Sequence, residues 1–185
     1  MARKTRVWFP GAVYHITKRG NRRSSIFYDD RDRLTYLGIF KEVRSDFPCI
    51  LHSYCLMFNH IHLQLETIDH HPKYIMQRLN SRYAIYFNRR HLLDGHLFQG
   101  RYGSKLILSE NYFLKVSKYI HLNPVEANIV SSPEKYKWSS CFAYFSSQDN
   151  PYIEKTRTLS YFPDPPEKHY RHFIEREQEE EYLSR

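Results

Sequence analysis

The chain has few cysteines, no long apolar run and no low-complexity tract. Its three cysteines, Cys49, Cys55 and Cys141, form no C-x-x-C pair. This argues against a disulfide framework or a thiolate zinc site and favours buried thiols in a reducing compartment. No run approaches the ~18 apolar residues that predict a membrane-spanning helix, and the opening MARKTRVWFPG lacks the apolar region of a secretory leader. We therefore expect a soluble cytoplasmic protein that does not enter a membrane.

Acidic residues are also scarce relative to basic ones. The chain has 28 Lys and Arg against 20 Asp and Glu, a net charge of +8. Residues 167–185 hold six acidic and four basic side chains, or −2, which leaves residues 1–166 at +10. Clustered basic side chains gain free energy by displacing counterions from phosphates, so the charge favours a polyanionic partner. With 16 Tyr and 12 Phe, the chain also has aromatic rings available for stacking.

The hydrophobic periodicity predicts an α+β fold. The predicted strands are residues 13–19, 50–57, 60–66 and 96–108, and residues 50–66 form a hairpin turning at Phe58-Asn59. The predicted helices run from Asp29-Asp30 to Pro48, from Pro72 to about His91, and from Ser109 to about Leu122, before Pro124. This order predicts a ferredoxin-like βαββαβ core with an antiparallel sheet and an extra C-terminal helix. We expect helices on one face of the sheet and an open second face for a ligand.

Three segments are predicted along the chain. Residues 1–145 form the globular domain, residues 146–166 a linker containing the stiff Asp164-Pro165-Pro166, and residues 167–185 a charged tail that is helical or partly disordered. Within the domain, Gly100 and Gly103 interrupt the last strand and predict a bulge or a place where another backbone comes close.

The stretch FNHIHLQLE, residues 58–66, places two histidines on one face of a predicted strand. Side chains alternate along a strand, so His60, His62, Gln64 and Glu66 share one face and the intervening apolar residues share the other. Two imidazoles spaced i, i+2 can converge on one cation, with Gln64 or Glu66 orienting the ligands or a metal-bound water. The alternative is a histidine pair that is simply hydrogen-bonded on a half-exposed face.

The last predicted helix presents Tyr119 and Asn123 side by side. At 100° per residue they share a face with Tyr112, whereas His121 points the opposite way and Lys115 lies one turn before Tyr119. The adjoining apolar stripe is Phe113, Val116 and Ile120. A phenol and an amide so placed can serve as nucleophile and metal ligand. The alternative is that Tyr119 packs at the core edge and Asn123 caps the helix.

The segments FNHIHLQLE, LFQGRYGSKLI and YFLKVSKYIHLNPVEANIV, in this order, resemble the single-tyrosine HUH transposases, and in particular the REP-associated tyrosine transposases. The resemblance runs from Trp8 to about Phe145. It implies that His60 and His62 bind a divalent metal, Mg²⁺ or Mn²⁺, and that Tyr119 is the nucleophile. Asn123 stands where many insertion-sequence relatives carry a glutamine ligand; because asparagine is one methylene shorter, direct coordination and a water-bridged role both stay open. Glu126 stands where relatives commonly carry arginine.

The resemblance also implies an activity. Enzymes of this kind attack a phosphodiester of single-stranded DNA with the tyrosine oxygen, giving a 5′-phosphotyrosine and a free 3′-OH, and then rejoin ends. A phenol with the ordinary pKa of ~10 is only ~0.1% ionised at neutral pH, so a neighbouring charge must favour the phenolate. Lys115, one turn away, is our hypothesis for that helper. Its alternative role is a solvated surface lysine.

Basic and aromatic residues predict how single-stranded or hairpin DNA is bound. Phosphate contacts are expected from the Lys18–Arg23 turn, a helical arginine stripe and the residues after Gly100. These candidates are Lys18, Arg19, Arg22, Arg23, Arg78, Arg82, Arg89, Arg101, Tyr102 and Lys105, with Phe98 and Tyr83 as further stacking rings.

Three alternatives remain. One keeps the fold without the chemistry, as a non-catalytic nucleic-acid-binding regulator. Another is a small zinc hydrolase using His52, His60 and His62. The third concerns assembly: in a homodimer, helix exchange would place Tyr119 in the partner's site.

Overall fold

The computed structural model describes residues 7–176 and consists of a four-stranded sheet with helices on both faces. The strands are β1 Val13–Arg19, β2 Cys49–Leu56, β3 His60–Thr67 and β4 Gly103–Ile107. The helices are α1 Asp30–Asp46, α2 Pro72–His91, α3 Glu110–Glu126, α4 Cys141–Phe145, α5 Thr156–Leu159 and α6 Pro166–Glu175. Short 3₁₀ turns cover Asn21–Arg23 and Pro133–Lys135.

The sheet has the order β2-β3-β1-β4, and every neighbouring pair is antiparallel. The β2–β3 hairpin turns at Phe58 and Asn59 as predicted, because two apolar-alternating segments flank a very short connection. The predicted α+β class and βαββαβ order are confirmed.

Two apolar layers sandwich the sheet. Ile16, Leu63 and Leu65 face the layer formed by α1 and α2, whereas Val13 and Ile107 face Phe113, Val116 and Ile120 of α3. The prediction of an open second face is therefore wrong. The apolar stripe of α3 cannot remain in water, and burying it brings the helix across the face that carries the histidines.

Several predicted boundaries also change. The fourth strand spans only Gly103–Ile107. Gly103 packs closely on β1, where a Cβ would lie 2.4 Å from Thr17 Oγ1. Helix α3 continues past Pro124 to Glu126, since a proline in the last turn removes only one intrahelical bond.

The segments predicted as linker and tail pack against the domain over the described residues. The Glu154 amide donates to the Leu51 carbonyl at 2.9 Å, and Arg157 pairs with Glu66 at 2.6 Å. Tyr170 and Ile174 of α6 are fully buried in a third apolar cluster beside α3 and α4. Residues 177–185 of the predicted tail lie outside the described residues.

No helix among residues 7–176 combines the length and the apolar character needed to cross a membrane.

Candidate active site

The two histidines of β3 lie side by side beneath α3. The alternation of β3 buries Ile61 and Leu63 in the α1–α2 layer, so His60 and His62 point the other way. Their ring centroids are 5.0 Å apart and their planes nearly perpendicular. His62 is only 6% exposed, whereas His60 is half-buried at the rim.

Tyr119 reaches this pair from its own chain. The buried residues Val116 and Ile120 hold α3 on the sheet, and this places the Tyr119 ring centroid 5.3 Å from that of His62. The side chain is 39% exposed, so it borders both the histidines and solvent. The structure therefore brings together the tyrosine and the histidine pair within a single chain.

Asn123 meets His60 one helical turn beyond Tyr119. Its Oδ1 lies 3.1 Å from His60 Nε2, while His60 Nδ1 lies 2.6 Å from Oδ1 of Asn59. A neutral imidazole carries one N–H. If that proton is donated to Asn59, the Nε2 lone pair faces an amide oxygen, as two ligands of one cation do. The Asn123 amide can instead turn its NH₂ toward Nε2, which orients His60 through a hydrogen bond.

A third histidine, His15 of β1, completes the cluster and was not predicted. Its Nε2 lies 3.0 Å from His62 Nδ1, and its ring contacts the edge of Tyr119 at a centroid distance of 5.7 Å. The sequence contained one signal: alternation in VYHITKR places His15 on the same face as Val13 and Arg19. Whether that face meets His62 depends on the register of β1 against β3, which only the tertiary structure shows.

Burial keeps these imidazoles neutral. It lowers the pKa of His62 to about 3 and that of His15 to about 4, with the Lys105 ammonium adding to the effect on His15. Burial also lowers the pKa of His60, partly opposed by its hydrogen bond with Asn123. Neutral imidazole is the form that can bind a metal ion.

Exposed cations flank the cluster. Arg19 stands opposite His60 in the β1–β3 register, and Lys105 stands opposite His15 in the β1–β4 register. The turn carrying Arg22 and Arg23 lies at the His60 end of β3, since the Asn59 side-chain amide donates to the Arg23 carbonyl at 3.2 Å. Arg101 is also exposed.

Burial corrects three predicted DNA contacts. Lys18 is 7% exposed, donates to the Gly100 carbonyl at 2.5 Å and lies over the Phe98 ring, so it fastens the segment before β4 to β1. Tyr102 is buried at 8% exposure. Tyr83, expected as a stacking ring, is fully buried and donates its hydroxyl to the Ile26 carbonyl. None of Lys18, Tyr102 and Tyr83 presents its side chain to a nucleic acid strand.

The predicted arginine stripe lies on the other side of the sheet. Helix α2 packs on α1, away from α3, so Arg78, Arg82 and Arg89 are separated from Tyr119 by the sheet. Arg82 forms an ion pair with Glu42 of α1, whereas Arg78 and Arg89 are exposed. The structure thus divides the predicted basic residues between two surfaces.

The remaining polar residues of β3 have structural partners. Gln64 accepts from Ser53 at 2.9 Å and donates to the Phe113 carbonyl at 3.0 Å, which anchors α3 on the sheet. Glu66 bonds to His52 Nε2 at 2.8 Å. The expectation that Gln64 or Glu66 orients metal ligands is therefore wrong, and His52 pairs with Glu66 rather than joining a zinc site with His60 and His62.

Two residues of α3 lie where the helix geometry predicted. His121 points away from Tyr119 and is buried between the Ser140 and Tyr170 hydroxyls, each 2.8 Å from one of its ring nitrogens. Lys115 is exposed one turn before Tyr119, and its role as a helper stays a prediction.

Comparison with known proteins finds two similar solved structures and one matching family. A REP-associated tyrosine transposase, solved bound to a REP hairpin, has a TM-score of 0.66 at 17% identity, over 84% of this chain and 98% of that one. A candidate transposase from Deinococcus radiodurans has a TM-score of 0.44 at 19% identity, over 64% of this chain and 95% of that one. No curated protein matches the chain. Residues 9–123, more than half of the 185-residue chain, match the family described as "Transposase IS200 like". This match spans the histidine pair, Tyr119 and Asn123, and the chain belongs to the IS200-like transposase family.

Proposed function

We propose that this transposase is a strand transferase acting on single-stranded DNA, with Tyr119 as the nucleophile. The observation that carries the proposal is the half-exposed phenol ring 5.3 Å from His62, in a helix held on the histidine face by buried contacts. The Tyr119 oxygen attacks the phosphorus of a phosphodiester, and the bond from phosphorus to the 3′ oxygen breaks. The products are a 5′-phosphotyrosine and a 3′ oxygen that takes up a proton. Attack by a 3′-OH reverses the step and rejoins strands.

The polar groups fit a divalent cation, Mg²⁺ or Mn²⁺. His60, His62 and Asn123 would hold it: two neutral imidazoles and an amide oxygen, with His60 Nε2 and Asn123 Oδ1 converging at 3.1 Å. Within residues 7–176 no three His, Cys, Asp or Glu side chains form a metal site without the amide, so water and phosphate oxygens would supply the remaining ligands. When bound, the cation acts as a Lewis acid on the scissile phosphate.

Charge around the site supports the binding of a DNA strand. Arg19 and Lys105 are exposed on either side of the histidines, and Arg22 and Arg23 extend the basic surface beyond His60. A structural relative was solved with a hairpin, so we propose single-stranded DNA carrying a hairpin as the substrate. The double-stranded stem would then be available to basic residues further from Tyr119.

A covalent adduct is the direct test of the reaction. Purified protein is incubated with Mn²⁺ and a pool of single-stranded oligonucleotides that carry a hairpin and randomised flanks. A 3′ label should migrate with the protein under denaturing conditions, and a 5′ label should remain on a free fragment, because the tyrosine bonds to the 5′ phosphate. Tyr119→Phe should form no adduct but still bind. Tyr112→Phe, the same change on the same helix, should retain the adduct.

The alternative is a non-catalytic regulator with this fold. It predicts that the wild-type protein binds the oligonucleotide pool with no adduct under any metal condition. The proposed reaction would be rejected by that result, and also by a Tyr119→Phe variant that forms as much adduct as the wild type.

We also propose Lys115 as the residue that favours the phenolate form during attack. It is exposed, one turn before Tyr119. Lys115→Met should shift the pH profile of adduct formation to higher pH, because a nearby cation favours the ionised phenol. Lys41→Met, the same loss of charge on α1, should leave the profile in place. An unchanged profile in Lys115→Met means that another group is the helper.

A further inference from the structure

The metal-binding histidines have a neighbour with no assigned role. His15 lies diagonally across from His62, since the β1–β3 register pairs Thr17 with His62 and His15 with Gln64. The two rings stack with an interplanar angle of 26°, and His15 Nε2 lies 3.0 Å from His62 Nδ1. His62 is held between this contact and the Tyr119 ring.

The contact between His15 and His62 can exist in two forms. Between neutral imidazoles, one nitrogen donates and the other accepts. If His15 Nε2 donates, His62 carries its proton on Nε2 and has no lone pair there for a metal. If His62 Nδ1 donates, its Nε2 is unprotonated and can bind. His15 is half-buried, so its second nitrogen can carry the proton that the accepting form requires.

We propose that His15 is a positioning residue that accepts a hydrogen bond from His62 Nδ1 and so keeps His62 Nε2 available to a divalent cation. The inference rests on the proposed function, because it deepens the metal site of the same reaction. Hydrogen-bond acceptors behind a ligating histidine fix its ring orientation and tautomer, and their loss typically weakens metal binding about 10–100-fold. His15 makes this contact through a side chain on a different strand, so the strand register supplies the positioning.

The test uses full-length protein without DNA and measures Mn²⁺ affinity by electron paramagnetic resonance. His15→Leu removes the acceptor and should weaken Mn²⁺ binding about 10–100-fold. His15→Gln places an amide oxygen at similar reach and should recover most of the lost affinity. His96→Leu, an exposed histidine in the segment before β4, is the matched control and should bind as the wild type does. Equal affinity in His15→Leu and wild type, or no recovery in His15→Gln, overturns the inference.

A second measurement reads the tautomer in the wild-type protein itself and uses a variant only to assign signals. Long-range ¹H–¹⁵N spectra of histidine-labelled wild-type protein distinguish protonated from unprotonated ring nitrogens, and His62→Gln identifies the His62 signals. We expect His62 to be protonated on Nδ1 in the metal-free protein, and a proton on Nε2 overturns the inference. Failure of the proposed metal site gives a different result from failure of the His15 inference. If His60 and His62 do not bind the metal, a double His60→Ala/His62→Ala variant binds Mn²⁺ as the wild type does, whichever residue stands at position 15.

Discussion

Tyr170 of α6 links the C-terminal part of the protein to the helix that carries Tyr119. Its fully buried hydroxyl lies 2.6 Å from Ser117 Oγ and 2.8 Å from His121 Nδ1, two positions that flank Tyr119 on α3. Burial lowers the pKa of His121 to about 3, so the ring is neutral. The Ser140 hydroxyl donates to the Tyr54 carbonyl. It therefore accepts from His121 Nε2–H at 2.8 Å, and His121 Nδ1 accepts from the Tyr170 hydroxyl.

Tyr170→Phe removes that donor and leaves His121 Nδ1 buried without one. The expected cost is about 1–3 kcal/mol for one unpaired buried acceptor. Loss of the contact with Ser117 adds little to this cost, because the Ser117 hydroxyl can donate instead to the carbonyl one helical turn earlier. In a domain of ~150–250 residues each kcal/mol lowers Tm by about 2–4 °C, so the expected decrease is about 2–12 °C.

Calorimetry and urea unfolding at neutral pH measure the effect. Tyr74→Phe, the same change at a side chain 45% exposed, should alter the free energy of unfolding by less than about 0.5 kcal/mol. If Tyr170→Phe changes the free energy of unfolding as little as this control does, the Tyr170 hydroxyl is not the sole donor to His121. The proposed connection between α6 and α3 is then refuted.

Three further changes test the packing and the charge. Asp32→Asn should lower the free energy of unfolding by about 1–3 kcal/mol at pH 7, measured in urea. Burial alone would raise the pKa of the Asp32 carboxyl. Hydrogen bonds from the Tyr28 amide, a histidine and an arginine outweigh this and hold the pKa below its usual value. That stabilisation is fully present above the ordinary carboxyl pKa of ~3.9 and is lost as the pH falls toward the lowered pKa of folded Asp32, so the difference between variant and wild type should shrink below about pH 4. A difference that stays constant as the pH falls contradicts this. Gly103→Ala should lower the Tm of the protein in thermal melts, because a Cβ at position 103 would lie 2.4 Å from Thr17 Oγ1. Adding Thr17→Ala should restore most of the lost stability. Strictly additive effects of the two substitutions would exclude this contact. Arg19→Gln should reduce adduct formation on the oligonucleotide pool and lower the salt dependence of binding by about one phosphate contact, whereas Arg78→Gln, on the far side of the sheet, should leave adduct formation unchanged; equal losses would mean that both surfaces serve the cleavage step.

Local patterns were enough to predict the secondary structure around the site. The alternation in residues 60–66 places His60 and His62 on one strand face, and the 3.6-residue period places Tyr119 and Asn123 on one helix face. Both follow from backbone geometry within a single element. The family match over residues 9–123 includes both of these elements.

Burial of individual side chains was harder to predict. Lys18 and Tyr102 are of residue types that often contact nucleic acids, yet the packing of the segment before β4 buries both side chains. Residues 146–176 have the composition of a linker and a polar tail, yet Tyr170 and Ile174 occupy a core that α3 and α4 complete. A few buried side chains are enough to hold a largely polar segment on the domain, and some of their partners lie far away in the chain: the Tyr170 hydroxyl contacts Ser117 across a separation of 53 residues.

The sequence alone determined which residues share a face of one strand or one helix, because that depends only on the repeat of the backbone. It also determined the excess of positive charge and the family. The tertiary structure decided that α3 covers the histidine face, that His15 rather than Gln64 or Glu66 contacts His62, and that the α2 arginines lie on the opposite surface. These facts depend on strand register and on which apolar stripe is buried against which face, and both are set by contacts between segments far apart in the chain.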